Sequence, residues 1–333
     1  LLFFNPFQKK MIAASALLQW YKQFQRPLPW RQTTDPYAVW LSEIILQQTR
    51  VDQGTAYWHR FLHTFPTVHH LAQATEEEVL KTWQGLGYYA RARNLHRAAQ
   101  IISAQNHFPT DYDSWKALPG IGPYTAAALA SILHHQPTPV VDGNVIRVTG
   151  RYFGLTDPPA PPYPAYLAAA QQLLNPDQPG HSNQALMEVG ATVCTPQQPR
   201  CADCPLSTSC FAFRNGVVDQ FPKPKKPIAV QKLTLPMTLV LHNGRVAVQQ
   251  RTAGFWRGLY QFPEPANLPA SPPALELPHV LTHRKLTLAF YPGLEPAGTV
   301  AWQPLGLVEG LPWPQPLAHH MHRLLSLATE RNP

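Results

Sequence analysis

Between residues 11 and 215, Ala- and Leu-rich stretches place apolar side chains every three to four positions, which predicts helices over 11–24, 38–52, 88–104, 123–135 and 164–174. The texture then changes. Phe221 to Pro227 combines three prolines with three lysines, so it cannot be helical and reads as an extended, exposed linker. Beyond it, Thr234 to Gln250 alternates apolar and polar residues around Asn243-Gly244, the pattern of a hairpin with a two-residue turn. A second strand pair is expected around 279–291, and the proline-rich pieces at 157–164 and 311–316 read as loops. The expected architecture is a mostly α N-terminal domain over 1–221, a linker over 222–232 and an α+β domain over 233–330.

With 333 residues, 44% of them hydrophobic, the chain is long enough for two domains with real cores. No membrane span is expected, and the apolar opening Leu1-Leu2-Phe3-Phe4, broken at once by Asn5-Pro6 and without a basic leader, is too short for a signal-peptide core. A cytoplasmic, reducing compartment fits. The net charge of +8 is uneven, with +2 on residues 1–222 and +6 on 223–333. That balance suits a polyanion partner, and a merely solvated basic surface is the alternative.

The chain has four cysteines, and all fall in one window as Cys194-x6-Cys201-x2-Cys204-x5-Cys210. Such spacing lets one short loop wrap a single metal centre, and an iron-sulfur cluster is the natural reading. A four-cysteine zinc site and a pair of disulfides are the alternatives. Zinc sites usually show two C-x2-C knuckles, and disulfides need an oxidising compartment.

Three further segments carry chemistry. Leu118-Pro-Gly-Ile-Gly122 lies between two helical stretches and predicts a helix-hairpin-helix, in which Gly120 and Gly122 let the backbone approach a phosphate. An ordinary helical turn is the bland reading. Glu43 lies on the largely apolar helix Trp40-Leu-Ser-Glu-Ile-Ile-Leu-Gln-Gln-Thr49, and Asp142 lies between apolar neighbours in Pro139-Val-Val-Asp-Gly-Asn-Val-Ile-Arg147. An acid in an apolar site is hard to ionise, which suits a proton donor at neutral pH. A buried ion pair for Glu43 and a helix cap for Asp142 are the structural alternatives.

The Glu43 helix with Gln47-Gln48-Thr49, the hairpin, Val141-Asp-Gly-Asn144 and the cysteine spacing occur together and in this order. In this combination the chain resembles the MutY family of adenine DNA glycosylases, within the endonuclease III superfamily. The likeness extends to the C-terminal region, where Phe255-Trp-Arg-Gly-Leu-Tyr-Gln-Phe-Pro263 is similar to a stretch of that family's Nudix-like domain. The resemblance implies a helix-hairpin-helix glycosylase domain, a 4Fe-4S cluster on the four cysteines, and a nucleoid-associated monomer acting on double-stranded DNA with adenine opposite 8-oxoguanine or guanine.

By the same resemblance, Glu43 protonates N7 of adenine and Asp142 stabilises the oxocarbenium-like sugar, supported by Asn144 and Tyr124. Two carboxylates flanking a glycosidic bond are also the logic of sugar hydrolases. Trp30, Arg31, Leu46, Gln184 and Met187 match the pocket for the extruded base, while Gln48 and Tyr88 match residues that wedge into the duplex. Arg200 is implied to face DNA. Bifunctional relatives place a lysine where this chain has Tyr124, so no Schiff base is expected there. Tyr124 and the C-terminal domain thus argue against an endonuclease III-like lyase on oxidised pyrimidines, and the paired acids argue against a noncatalytic iron-sulfur DNA-binding protein. Residues 233–333 lack the glutamate run of a Nudix box, so their expected role is recognition. Thr282 and His283 align with a loop that reads 8-oxoguanine, with Leu281 in place of the family's phenylalanine.

Overall fold

The computed structural model describes residues 6–157, 159–223 and 229–329, and they divide into two compact units. The first comprises residues up to Trp58 together with 101–226, and the second 59–100 together with the chain from 227 onward.

The helical part of the chain runs through α1 (Pro6–Phe24), α2 (Pro36–Ile45), α3 (Val51–Thr64), α4 (Val68–Gln73), α5 (Glu76–Trp83), α6 (Ala90–Gln105), α7 (Tyr112–Lys116), α8 (Pro123–His134), α9 (Gly143–Phe153), α10 (Pro164–Leu173), α11 (Pro179–Thr192) and α12 (Phe211–Arg214). In the first unit, α1, α8, α9, α10 and α11 close around Leu17, Tyr21, Val145, Val148, Leu173 and Leu186. A separate aromatic group, Trp40, Phe108 and Trp115, holds α2 against α7.

The predicted 38–52 helix is in fact two. It stops at Leu46, and Gln48 takes a positive φ of 57° before α3 begins, so the polar Gln47-Gln48-Thr49 forms a turn between helices. Likewise Tyr88, at φ 45°, precedes α6 and is not its first residue.

In the second unit the C-terminal region carries β1 (Gln231–Leu239), β2 (Leu241–His242), β3 (Arg245–Gln250), β4 (Tyr260–Gln261), β5 (Leu275–Leu281), β6 (Arg284–Pro292) and β7 (Ala301–Pro304), then α13 (Gln315–His319) and α14 (Met321–Thr329). One sheet has the order β1-β6-β5, with β1 parallel to β6, and a second joins β2, β3, β4 and β7. The Asn243-Gly244 turn is present, with φ 49° and 69°. Its hairpin is short, however, because β1 ends at Leu239 and pairs with β6 instead of β3. Alternation marks a strand but not its partner. The second strand pair expected around 279–291 is present as β5–β6, begins earlier, at Leu275, and turns at Thr282-His283. Residues 224–228 of the predicted linker lie outside the described residues, while 231–232 already belong to β1. The proline-rich piece at 311–316 is a loop only as far as Pro314, since Gln315 opens α13.

Candidate active site and cysteine pocket

A cleft of about 1100 Å³ opens in the first unit, and the two acids marked by the sequence both line it. Glu43 comes from the last turn of α2 and Asp142 from the N-cap of α9. The Asp142 carboxylate accepts from the Val145 backbone N–H at 2.7 Å and from Asn144 Nδ2 at 2.8 Å. The cap reading therefore holds, yet the same carboxylate also faces the cleft. Burial pushes the Asp142 pKa up, while those two donors pull against the rise. Glu43 has no ion pair among the described residues. Burial pushes its carboxyl up to about 7, with a bond from Tyr124 opposing the shift and the Asp142 charge adding to it.

Tyr124 stands in the first turn of α8, directly after the hairpin, and its hydroxyl lies 3.1 Å from Met187 Sδ. Burial beside two carboxylates raises its pKa well above that of a free phenol, so the hydroxyl keeps its proton. Gly120, at φ 78°, and Gly122, the N-cap of α8, line the rim of the same cleft. Trp30, Arg31, Leu46, Gln48, Asn144, Gln184 and Met187 complete the expected set.

Three residues beside the cleft are not among the expected site residues. Glu188 on α11 is 1% exposed and takes Arg26 Nε at 2.7 Å, Arg26 Nη2 at 2.9 Å and Arg31 Nη2 at 2.8 Å. Tyr21 lies under the Arg31 guanidinium at 5.3 Å and donates its hydroxyl to Gln184 Oε1 at 3.0 Å. Glu188 shows the same signal as Glu43, an acid among apolar neighbours in Ala185-Leu-Met-Glu-Val189, but the arginines that pair it come from far away in sequence. Arg147 ties Asn144 to α11 and to Cys194: Nη2 donates to Asn144 Oδ1 at 2.8 Å and to Gly190 O at 2.6 Å, and Nε to Cys194 O at 2.6 Å. Here Gly190 has a steric role, since a Cβ on it would lie 2.5 Å from Asn144 Cβ.

The cysteines line a second, smaller pocket. Cys194, Cys201, Cys204 and Cys210 are free thiols that surround it together. Arg151, 3% exposed, donates Nη1 to Cys194 Sγ at 3.4 Å and to Thr195 O at 2.8 Å. Among the described residues no three His, Cys, Asp or Glu side chains are close enough together to hold one metal ion. Arg200, with 63% of its side chain exposed, bonds Thr192 O at 3.1 Å. Tyr88, Thr282 and His283 belong to the second unit and are all exposed; the Tyr88 hydroxyl meets Thr282 Oγ1.

Residues 41–173 match the HhH-GPD superfamily of base excision DNA repair proteins. Adenine DNA glycosylase of Rattus norvegicus is 44% identical over 60% of this chain and 41% of its own length, so the chain spans about two-fifths of that relative. The Arabidopsis thaliana enzyme is 38% identical over 74% of the chain and 46% of its own length. Among solved structures, a thermostable thymine-DNA glycosylase superposes with a TM-score of 0.57 at 26% identity, covering 62% of this chain and 97% of that one. An endonuclease III–DNA complex, at TM-score 0.54 and 19% identity over 64% of this chain and 99% of that one, shares the fold. Adenine DNA glycosylase of Buchnera aphidicola subsp. Schizaphis graminum is 34% identical over 76% of this chain and 74% of its own length, and with that coverage the chain belongs to the adenine DNA glycosylase (MutY) family.

Proposed function

We propose that the chain is a monofunctional adenine DNA glycosylase that hydrolyses the N-glycosidic bond of adenine opposite 8-oxoguanine or guanine and leaves an abasic site. The observation that carries this reading is the pairing of Glu43 and Asp142 across one cleft, with a tyrosine at the position where a lyase needs an amine.

The bond is unreachable inside a stacked duplex, so the adenine enters the cleft extruded. Glu43, with a pKa of about 7, still carries its proton on a large share of molecules at neutral pH and gives it to N7, which makes the base a neutral leaving group. As the bond breaks, positive charge grows on the sugar. Asp142, held by Asn144 and the Val145 amide, offers a carboxylate fixed in place against that charge. Water then adds to the sugar and gives up a proton to the Glu43 carboxylate, which restores the acid. Tyr124, whose hydroxyl bonds Met187 Sδ beside the two acids, cannot form an imine, so the DNA strand stays intact. Gly120, Gly122 and the free amides opening α8 suit a DNA phosphate.

The four cysteines fit a 4Fe-4S cluster better than zinc. The four thiols line one common pocket, and their spacing has one C-x2-C knuckle where zinc sites usually have two. When bound, the cluster would shape the loop from Thr195 to Arg200. The C-terminal region is read as Nudix-like, with Thr282 and His283 exposed on the β5–β6 turn to recognise the base opposite the adenine. The protein would act as a cytoplasmic, nucleoid-associated monomer.

The deciding assay uses duplexes with adenine opposite 8-oxoguanine or guanine, followed with and without alkali. Adenine release with strand cleavage only after alkali is expected. Cleavage without alkali, with a covalent complex trapped by borohydride, would instead indicate an endonuclease III-like lyase.

A further inference from the structure

The geometry points to a phosphate-binding notch for DNA formed by Arg251, Phe255 and Arg284, a site that rests on the DNA-repair reading above and adds a strand contact to it. Its scaffold is the loop between β3 and β4, closed by Arg251 N–H to Leu259 O at 2.9 Å and Gly258 N–H to Arg251 O at 2.8 Å. Within the loop, Trp256 turns inward and packs on His279 of β5, with ring centroids 5.9 Å apart. Its neighbour Phe255 stays at the surface, half-buried. Two guanidiniums lie on that one ring: Arg251 at 5.0 Å and Arg284 at 5.5 Å from the centroid. Arg284 opens β6, one residue after His283.

Neither arginine has an ion pair among the described residues. Arg251 donates Nη1 to Gln261 Oε1 at 2.6 Å, and its buried Nε–H finds no acceptor. A guanidinium resting on an aromatic ring uses its face for that contact and leaves its N–H edges free for an anion. Burial lowers the pKa of Arg251, with the Glu264 charge opposing the shift, and an anion at the notch would stabilise both cations. A phosphodiester supplies an anion for the guanidinium edges that reach the surface. The planar edge geometry also explains two arginines where lysines would keep the charge alone.

The test measures binding of the full chain to an undamaged duplex and to one with adenine opposite 8-oxoguanine, each across a salt series. For R284Q, the slope of log K against log salt should fall by about 0.9 and affinity should drop several-fold on both duplexes alike. R284K should keep most of the slope. An unchanged slope in R284Q overturns the notch. A loss confined to the lesion duplex would make Arg284 a base reader, and an R284K loss as large as that of R284Q would make it a packing residue; either result also overturns the proposal. R251Q should behave as R284Q does, and if its thermal melt shows unfolding, the two Arg284 variants still decide. Adenine release by the wild type is read separately. No release together with the expected slope change would sink the glycosylase reading and leave the notch standing.

Discussion

Glu43 and Glu188 are both acids set among apolar helix neighbours, and their surroundings send them opposite ways. Burial pushes Glu43 up to about 7. Burial acts on Glu188 too, but hydrogen bonds from Arg26 and Arg31 outweigh it and hold the group near 2. Sequence marks both residues as unusual but does not show which is paired, because Arg26 lies 162 positions from Glu188 and only the α1–α11 packing joins them. Glu43→Gln should lower single-turnover adenine release by about 100-fold or more while leaving duplex binding nearly intact, since it removes a proton donor and no phosphate contact. A variant that excises at the normal rate would rule out Glu43 as the acid. Because the protonated form does the work, wild-type excision should decline as pH rises through about 7. Arg31 favours the Glu43 anion, and Glu188 offsets that charge. Glu188→Gln should therefore move the alkaline limb to lower pH, and Arg31→Met should move it higher. Shifts of the same sign in pH–rate profiles of the two variants would refute this coupling. In stability terms Glu188, with its folded pKa depressed, helps fully above pH about 4.5, and that help is lost as pH falls toward 2.

At the scale of elements, legibility followed local chemistry. The predicted α1, α8 and α10 cores, the Asn243-Gly244 turn and the β5–β6 hairpin are present because capping, helical spacing and turn residues act within a few positions. The break at Leu46 and the parallel pairing of β1 with β6 were not legible, since both depend on packing distant in sequence. The cysteine loop falls between these cases. Its spacing is local, but its support is not: Arg151 on α9 holds the Cys194 sulfur and the Thr195 and Pro196 carbonyls from more than forty residues away. Protein made under iron-replete anaerobic conditions should contain about four irons per chain and be yellow-brown. Stoichiometric zinc would overturn the cluster. Arg151→Gln should lose iron faster to a chelator, read by metal analysis, because a buried donor to the ligand sulfur is gone.

The whole molecule is organised differently from its sequence texture. A composition break near Phe221 suggests cutting there, yet helices from the N-terminal part pack with the C-terminal region in the second unit. Lys81 Nζ bonds Glu309 O at 2.6 Å, Arg93 Nη1 bonds Arg257 O at 2.5 Å, and Gly258, at φ 83°, lies against Leu80. Removing 233–333 would strip α5 and α6 of these partners, so a truncated chain should melt at lower temperature, and its lost activity would mix folding with recognition. Point variants on the β5–β6 turn separate the two, because Thr282 and His283 are exposed and their replacement leaves no buried group unpaired. If the turn reads the opposite base, His283→Ala should keep the wild-type melting temperature and lower excision opposite 8-oxoguanine by about 5- to 150-fold, as the loss of a base contact worth ~1–3 kcal/mol requires. Excision opposite plain guanine should change far less, since Glu43 and Asp142 lie in the other unit and remain in place. Equal losses on both duplexes, measured under single-turnover conditions, would reduce the turn to a nonspecific clamp and leave lesion preference to be sought among the residues of the cleft.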